Sequence, residues 1–387
     1  MNNIPVESCN TPWPRRMAFL TPTVTAYRIP FHQVLSRRVA AYHIIQSSPH
    51  DPCLPHAPLP ESLAITTLQS LRLAHHDISP EGRVEKTYVY LSRGLISTLS
   101  KLAPEVIISD QLGQRTLGAI YYCWRHPETR LFIYVDGSDI TEKNRNDILR
   151  RVLRPWLLRR ADGVLVNGAG GTRYVRAQGV RPAKIHGSPY TTDPRFLGVR
   201  KTSGRTGELR LAYAGRFVPV KGLLEFLNIL TAWGAQHPRQ HIVFRLAGDG
   251  PLRGQLQARP LPPNVVVQIE DNLSYQNMPA FYAQADWLVF PSFSDTWGMA
   301  VQEAMAVGLP VLGSPNSQAV EELVHPGQTG WLFHPDRPAE IVAALDAAAE
   351  TSTENYARMS DQARQAAVAH LPEQVVTQLM EFIIQQR

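Results

Sequence analysis

Short apolar runs recur along this chain, and most are followed by a loop bearing Gly, Pro or Asp and then by residues at helical spacing. Met17-Ala-Phe-Leu20 reads as a first strand. From Pro30 to about Ser47 the apolar residues Phe31, Val34, Leu35, Val39, Tyr42 and Ile45 fall near helical spacing and predict one helix. Tyr88 to Leu102 predicts a second helix, closed by Pro104. The runs Val106–Ser109, Leu131–Val135 and Val164–Asn167 predict buried strands. Between the last two, Asp147 to Arg160 predicts a helix interrupted at Pro155.

Tyr190 to Glu208 breaks the pattern with Thr, Gly, Pro and basic residues, so residues 191–208 read as a linker. The alternation then restarts. Leu209–Ala214, Val243–Ala247, Val265–Ile269, Trp287–Phe290 and Pro310–Leu312 predict a second parallel set, with a helix over Gly222–Trp233. A last amphipathic helix runs from Glu373 to the C-terminus. The expectation is α/β: two Rossmann-like, doubly wound domains, residues 17–190 and 209–368, facing a cleft. Residues 1–16 read as a loose tail, with Met17 a candidate start. Residues 369–387 read as a helix returning to the first domain.

Composition narrows the setting. At 387 residues and 44% hydrophobic content the chain can bury two cores. Its three cysteines are odd in number and widely spaced, which argues against a disulfide framework and for a reducing, cytoplasmic compartment. No apolar run approaches the length of a membrane span, and the N-terminus lacks a signal-peptide core. The net charge of +6 is unevenly spread. Residues 1–200 hold 26 Lys and Arg against 15 Asp and Glu, and the remainder holds 13 against 18. Such a first half suits an anionic partner. The basic stretch Lys143 to Arg160 mixes cations with Trp156 and leucines and suits an anionic membrane surface on a peripheral protein. The rival reading is an ordinary helix with one solvated face. Nucleic acid is disfavoured, because no stacking-aromatic or helix-turn-helix pattern is present.

The chemistry concentrates in Asp295-Thr-Trp-Gly-Met-Ala-Val-Gln-Glu303, directly after the strand Trp287–Phe290. A strand, a small-residue loop and a helix N-terminus gather free backbone N–H groups and the positive end of a helix dipole at one spot. Two acids flank that spot. Acids repel phosphate but accept hydrogen bonds from hydroxyls. A ligand carrying both phosphates and hydroxyls is a sugar nucleotide. At another strand end, Gly215-Arg216-Phe-Val-Pro-Val-Lys221-Gly222 delivers two cations to a helix start, where Arg can grip phosphate and Lys acts as a point charge. A capped turn with solvated charges is the plain alternative. Ala247-Gly-Asp-Gly250 reads as a tight turn near the nucleotide.

These motifs together resemble the retaining GT-B glycosyltransferases of family four, the group 1 glycosyltransferases. The resemblance covers nearly all of the second domain and extends loosely into the first, at Thr21–Pro30 and Pro189–Phe196. It implies that Arg216 and Lys221 clamp the donor diphosphate, that Glu303 holds the ribose hydroxyls, and that Asp295 contacts hydroxyls of the transferred sugar. Gly215, Gly248, Thr296, Trp297, Gly298 and Met299 would complete the donor site. Tyr27, Arg28, His32 and Asp136 are the acceptor candidates. It further implies no metal and no cofactor beyond the nucleotide-diphosphate sugar as co-substrate. The leaving phosphate would deprotonate the acceptor from the same face. A glycan or lipid-linked acceptor in bacterial cell-surface polysaccharide or lipopolysaccharide assembly is the expected partner.

The chain departs from the family pattern at four places. Asp295 stands where a Glu is usual, Asp271 replaces a glycine before the base-binding loop, and Gln318-Ala319 replaces Gly-Gly. Asp136-Gly-Ser-Asp139 stands where a first-domain histidine is common, so that Asp136 either takes its place or belongs to a simple turn. These departures leave a non-catalytic sugar-nucleotide-binding partner subunit as the rival function. A nicotinamide-dependent oxidoreductase is excluded by the lack of G-x-G-x-x-G after an early strand.

Overall fold

A computed structural model describes residues 13–51, 58–78, 84–142, 148–199, 207–271 and 273–386. Two parallel sheets, each covered by helices on both faces, divide the chain. The first domain contains β1 (Trp13–Thr21), α1 (Ile29–Arg38), β2 (Val39–Gln46), β3 (Ile65–Thr67), β4 (Gln69–Ile78), β5 (Val84–Arg93), α2 (Leu95–Leu102), β6 (Val106–Asp110), α3 (Gln114–Arg125), β7 (Arg130–Val135), α4 (Ile148–Arg160), β8 (Gly163–Val166), α5 (Ala169–Ala177) and β9 (Ile185–Gly187). Its seven-stranded sheet has the order β3-β2-β1-β6-β7-β8-β9, and β4 and β5 form a separate antiparallel hairpin.

The short helix α6 (Pro194–Leu197) leads into the second domain. That domain contains β10 (Leu209–Ala214), α7 (Leu223–Gln236), β11 (Ile242–Ala247), α8 (Arg253–Gln257), β12 (Val265–Glu270), α9 (Met278–Tyr282), β13 (Trp287–Phe290), α10 (Met299–Val307), β14 (Val311–Gly313), α11 (Gln318–Leu323), β15 (Gly330–Leu332), α12 (Pro338–Glu350) and α13 (Thr353–Val368). Its sheet order is β12-β11-β10-β13-β14-β15. In each sheet the strand order reverses direction once, beside β1 and beside β10. Ligand crevices of open α/β sheets form at such switch points, outside the carboxyl ends of the strands.

The last helix, α14 (Pro372–Gln385), packs against the first domain rather than the second. Its Val376, Leu379 and Ile383 are fully buried in the cluster that also holds Phe19, Leu35 and Phe132. Burial of each such side chain contributes roughly 1.5–3 kcal/mol before entropy is subtracted. Arg130 Nη1 donates to the carbonyls of Ile383 and Gln386 and ties down the helix end.

Four local expectations need correction. The helix expected from Pro30 to Ser47 ends at Arg38, and Val39–Gln46 is a strand. A strand covered on both faces reads as a near-continuous apolar run, which periodicity alone cannot separate from a buried helix. The helix expected from Tyr88 begins only at Leu95, after Gly94 turns the chain at φ 85°. Tyr88–Leu91 instead belongs to the hairpin, whose pairs Leu71–Leu91 and Leu73–Val89 follow the alternation of a strand. Pro155 lies inside a continuous α4 and does not break it. Residues 13–16, expected in a loose tail, extend β1; residues 1–12 and 143–147 lie outside the described residues.

Candidate functional site

The second-domain strand ends are laced together by backbone contacts that require glycine. Gly222 adopts φ 65°, and a Cβ there would lie 2.1 Å from the carbonyl oxygen of Pro291. Phe293 N donates to Val220 O at 2.9 Å. Together these contacts dock the Pro219–Lys221 turn against the loop after β13. Gly248 plays the same part between β10 and β11: a Cβ there would lie 2.0 Å from Gly215 O. Arg216 is held half-buried at the end of β10, its carbonyl accepting from the Tyr213 hydroxyl at 2.9 Å.

This docking joins two of the residues that the sequence singles out. Lys221 Nζ donates to Asp295 Oδ2 at 2.6 Å, and both side chains are largely enclosed. Asp295 Oδ1 accepts from the backbone N–H of Trp297 at 3.2 Å. Thr296 is exposed at the tip of the loop, and the Trp297 ring is buried below it. Helix α10 then starts at Met299 behind Gly298, which has φ 103° and supplies no side-chain cap. No side chain caps this N-terminus, and the Asp295 carboxylate, paired with Lys221, lies in the loop just before it.

Glu303 sits one turn further along α10 and is only 6% exposed. Tyr282 donates its hydroxyl to Glu303 Oε2 at 2.9 Å. Burial pushes the Glu303 carboxyl up to about 7, against the lowering effect of that hydrogen bond. A carboxyl at that value is poised to ionise when hydroxyl donors arrive.

Across the cleft, Asp136 stands at the end of β7. Tyr190 donates its hydroxyl to Asp136 Oδ1 at 3.2 Å. Burial and then the neighbouring Asp110 raise the Asp136 carboxyl to about 6, with Arg28 opposing. Arg28 is 8% exposed and lies over the rings of Tyr134 and Tyr190, at 4.6 and 4.1 Å from their centroids. Its Nη2 is 3.8 Å from Asp136 and 4.0 Å from Asp110. Arg28 thus acts from beneath the cleft floor, compensating two acids, and does not offer its guanidinium at the surface. Tyr27 is half-buried, in edge contact with Tyr190.

His32 is not brought to the cleft. It is 1% exposed, its Nδ1 lies 2.6 Å from the Tyr42 hydroxyl, and Phe19 and Phe31 contact its ring. Burial, then Arg28, lowers its pKa to about 3, so it is neutral and packed within the first-domain core. The apolar spacing of α1 already placed this position beside inward-facing Phe31 and Leu35.

Several residues of the cleft escaped the sequence reading. Trp297 Nε1 donates to Gln302 Oε1 at 2.7 Å, and Gln302 Nε2 donates to Tyr190 O at 2.9 Å. Gln318, met in the sequence only as a departure from the family pattern, reaches the Asp136 carbonyl. Asp271, the departure before the base-binding loop, pairs with Arg253, which also lies 3.7 Å from Asp249. Among the described residues no cluster of three or more His, Cys, Asp or Glu could hold a metal ion.

Comparison with known proteins agrees with this geometry. Residues 199–366 match the family model of glycosyl transferases group 1. A GDP-mannose-dependent alpha-mannosyltransferase of Mycolicibacterium smegmatis is 33% identical over 138 residues, 36% of this chain and 34% of that protein. The putative colanic acid biosynthesis glycosyltransferase WcaL of Salmonella typhimurium is 28% identical over 199 residues, 49% of this chain and 47% of that one. The chain spans less than half the length of these curated relatives. In three dimensions it superposes on Anabaena HepE in complex with UDP and glucose with a TM-score of 0.70 and 14% identity, covering 96% of this chain and all of that one. The chain thus carries the group 1 glycosyltransferase match over residues 199–366, and as a whole it has the GT-B fold.

Proposed function

We propose that the protein is a retaining glycosyltransferase that moves a sugar from a nucleotide-diphosphate sugar to a glycan or lipid-linked acceptor. The observation that carries this reading is the Lys221–Asp295 pair at the uncapped N-terminus of α10, with Arg216 at the adjacent strand end and Glu303 one turn below. In this reading Lys221 and Arg216 neutralise the diphosphate as it leaves, together with the α10 dipole, so that no metal is called for. Asp295 passes from Lys221 to hydroxyls of the sugar. Glu303 takes the ribose hydroxyls. Asp136, with Tyr190, faces the reacting centre from the first domain, and Arg28 compensates its charge from below. The leaving phosphate oxygen takes the proton of the attacking acceptor hydroxyl on the face it departs from, as the glycosidic oxygen–carbon bond forms and the carbon–phosphate-oxygen bond breaks.

The acceptor belongs, in this proposal, to bacterial cell-surface polysaccharide or lipopolysaccharide assembly on the cytoplasmic side; the likeness to WcaL supports the polysaccharide part. A screen of UDP-, GDP-, ADP- and dTDP-sugars for turnover tests the reading. Release of nucleoside diphosphate from one of them is expected, with a product of unchanged anomeric configuration by NMR. Binding of a donor without turnover under any acceptor supports the partner-subunit alternative instead.

The outer face of the first domain supports a peripheral membrane contact. Leu117, Tyr121 and Trp124 are exposed along one face of α3, and Val152 and Trp156 along α4, with Trp124 68% exposed. Neither helix contains an acid, and Arg160 lies over the Trp156 ring at 5.0 Å. Leu71, Leu73, Val89 and Leu91 are also exposed, on the hairpin whose β5 meets the Pro219–Lys221 turn of the second domain. Aromatic rings with basic neighbours suit an anionic headgroup layer, at about 1 kcal/mol per cation near the surface. No described helix is long and apolar enough to cross a membrane. Co-sedimentation with phosphatidylcholine–phosphatidylglycerol vesicles is expected for the wild-type protein and is lost in Trp124→Glu/Trp156→Glu. Equal sedimentation with pure phosphatidylcholine removes the electrostatic part of the account.

A further inference from the structure

The carbonyl of Trp297, within the donor loop, accepts from Ala319 N at 2.9 Å and from the Ser317 hydroxyl. These bonds tie the loop to the start of α11. Gln318 lies between these two residues and is 1% exposed. Its Nε2 donates both to the Thr296 carbonyl on the same domain and to the Asp136 carbonyl of the first domain, the latter at 2.9 Å. Its Oε1 accepts from the N–H of Gly171, at the start of α5, at 2.9 Å. The amide orientation is fixed by chemistry: a flipped amide would set its oxygen against two carbonyls and its NH2 against an N–H donor.

The first domain is shaped to receive this side chain. The segment Asn167-Gly-Ala-Gly-Gly171 runs from β8 into α5; a Cβ on Gly168 or Gly170 would press on Glu322 or Glu321 at 2.7 and 3.1 Å, and one on Gly171 would meet Val166 at 3.0 Å and Gln318 at 3.3 Å. Ala169 N donates to Glu322, and Arg173 joins Asp139 of its own domain to Glu321 at 2.6 Å each. The N-terminus of α5 is thus capped from the other domain, by an acid and an amide oxygen in the places a local cap would fill. A second link runs in parallel, from Trp297 through Gln302 and the Tyr190 carbonyl, with the Tyr190 hydroxyl on Asp136.

We propose that Gln318 is a positioning residue that fixes the donor loop against Asp136 and α5 across the cleft, so that closure of the domains sets the distance between the donor sugar and the first domain. The inference rests on the transferase reading for its kinetic part and on the contacts alone for its structural part. A glycine at this position, which the family resemblance would place there, has no side chain to span the gap; the strut is a property of this chain.

Two variants test it. Gln318→Met keeps the volume and removes all three hydrogen bonds. Gln318→Glu keeps an acceptor for Gly171 N but turns a carboxylate on the carbonyls of Asp136 and Thr296. In Gln318→Met, amide hydrogen exchange at Gly171 is expected to rise about tenfold or more, while UDP or GDP affinity by calorimetry stays within about threefold of wild type. Gln318→Glu is expected to keep Gly171 protected. Both variants are expected to lower kcat about tenfold or more with little change in donor KM. Unchanged Gly171 exchange in Gln318→Met overturns the strut whether or not the protein transfers sugar. A fall in kcat matched by an equal fall in nucleotide affinity reduces Gln318 to general support of the fold and also overturns it. Absence of turnover in the wild-type protein, with Gly171 exchange still raised in Gln318→Met, overturns the transferase reading and leaves the strut standing.

Discussion

Lys221→Ala is expected to lower kcat/KM for sugar transfer by about 10²–10³-fold, the loss typical of removing one preorganised group that meets charge developing in the transition state. Two effects add. The leaving diphosphate loses a cation held in an enclosed site, where electrostatic contacts are stronger than in water. Asp295, whose Oδ2 lies 2.6 Å from Lys221 Nζ, is also left as an unopposed acid beside the phosphates. The double variant Lys221→Ala/Asp295→Asn should therefore recover part of the nucleotide affinity lost in the single one, though not the rate. Steady-state kinetics and calorimetry on the three proteins check this. If Lys221→Ala retains full kcat, the ion pair is a structural clip and the diphosphate lies elsewhere.

The second large effect is a pH dependence carried by Glu303. Its carboxyl titrates near 7 in the folded chain against an ordinary value of 4.5, because burial disfavours the carboxylate. Between those values the folded state holds a proton that the unfolded state has released. Stability contributed by this group therefore falls as pH rises from about 4.5 to about 7 and is level above. Glu303→Gln removes the penalty. At pH 8 the variant is expected to be more stable than wild type by up to about 3 kcal/mol, and at pH 4 to match it. Donor binding runs the other way. Ribose hydroxyls are accepted best by the carboxylate, so affinity for a sugar nucleotide should rise from pH 6 to pH 8. A sugar nucleotide is the right probe, because its diphosphate has no ionisation in that window. Glu303→Gln should bind more weakly and lose the pH dependence. Denaturant melts and calorimetry at the three pH values decide both halves; a wild-type affinity flat from pH 6 to 8 would show that Glu303 does not meet the ribose.

The second domain was the more legible half of the molecule. Leu209–Ala214 and Trp287–Phe290 read as strands to the residue, because each is a short apolar run bounded by turn residues. The glycines at 215 and 248 marked strand ends, and Gly222 marked a helix start. The first domain was harder. Its β2 follows α1 without a loop, so the apolar spacing carries straight from one to the other. Its hairpin exposes Leu71, Leu73, Val89 and Leu91 on one face, which blurs the contrast between core and solvent.

The candidate site divides in the same way. That Lys221 and Asp295 come to strand ends of one sheet was legible, but their direct pairing was not. Nor could the contact of Gln318 with Asp136 be anticipated, since it joins residues 182 positions apart on different domains. No local pattern encodes such a meeting. His32 shows the converse limit. A histidine near the opening loop looks chemical in sequence, yet the spacing that made α1 a helix also turned it inward.

The most direct test of the account is a crystal structure of the protein with the sugar nucleotide it turns over. The diphosphate is expected against Lys221, Arg216 and the N-terminus of α10, the ribose hydroxyls on Glu303, and the sugar between Asp295 and Asp136. A nucleotide seated instead on the first domain, beside α5 or beneath Arg28, would contradict it.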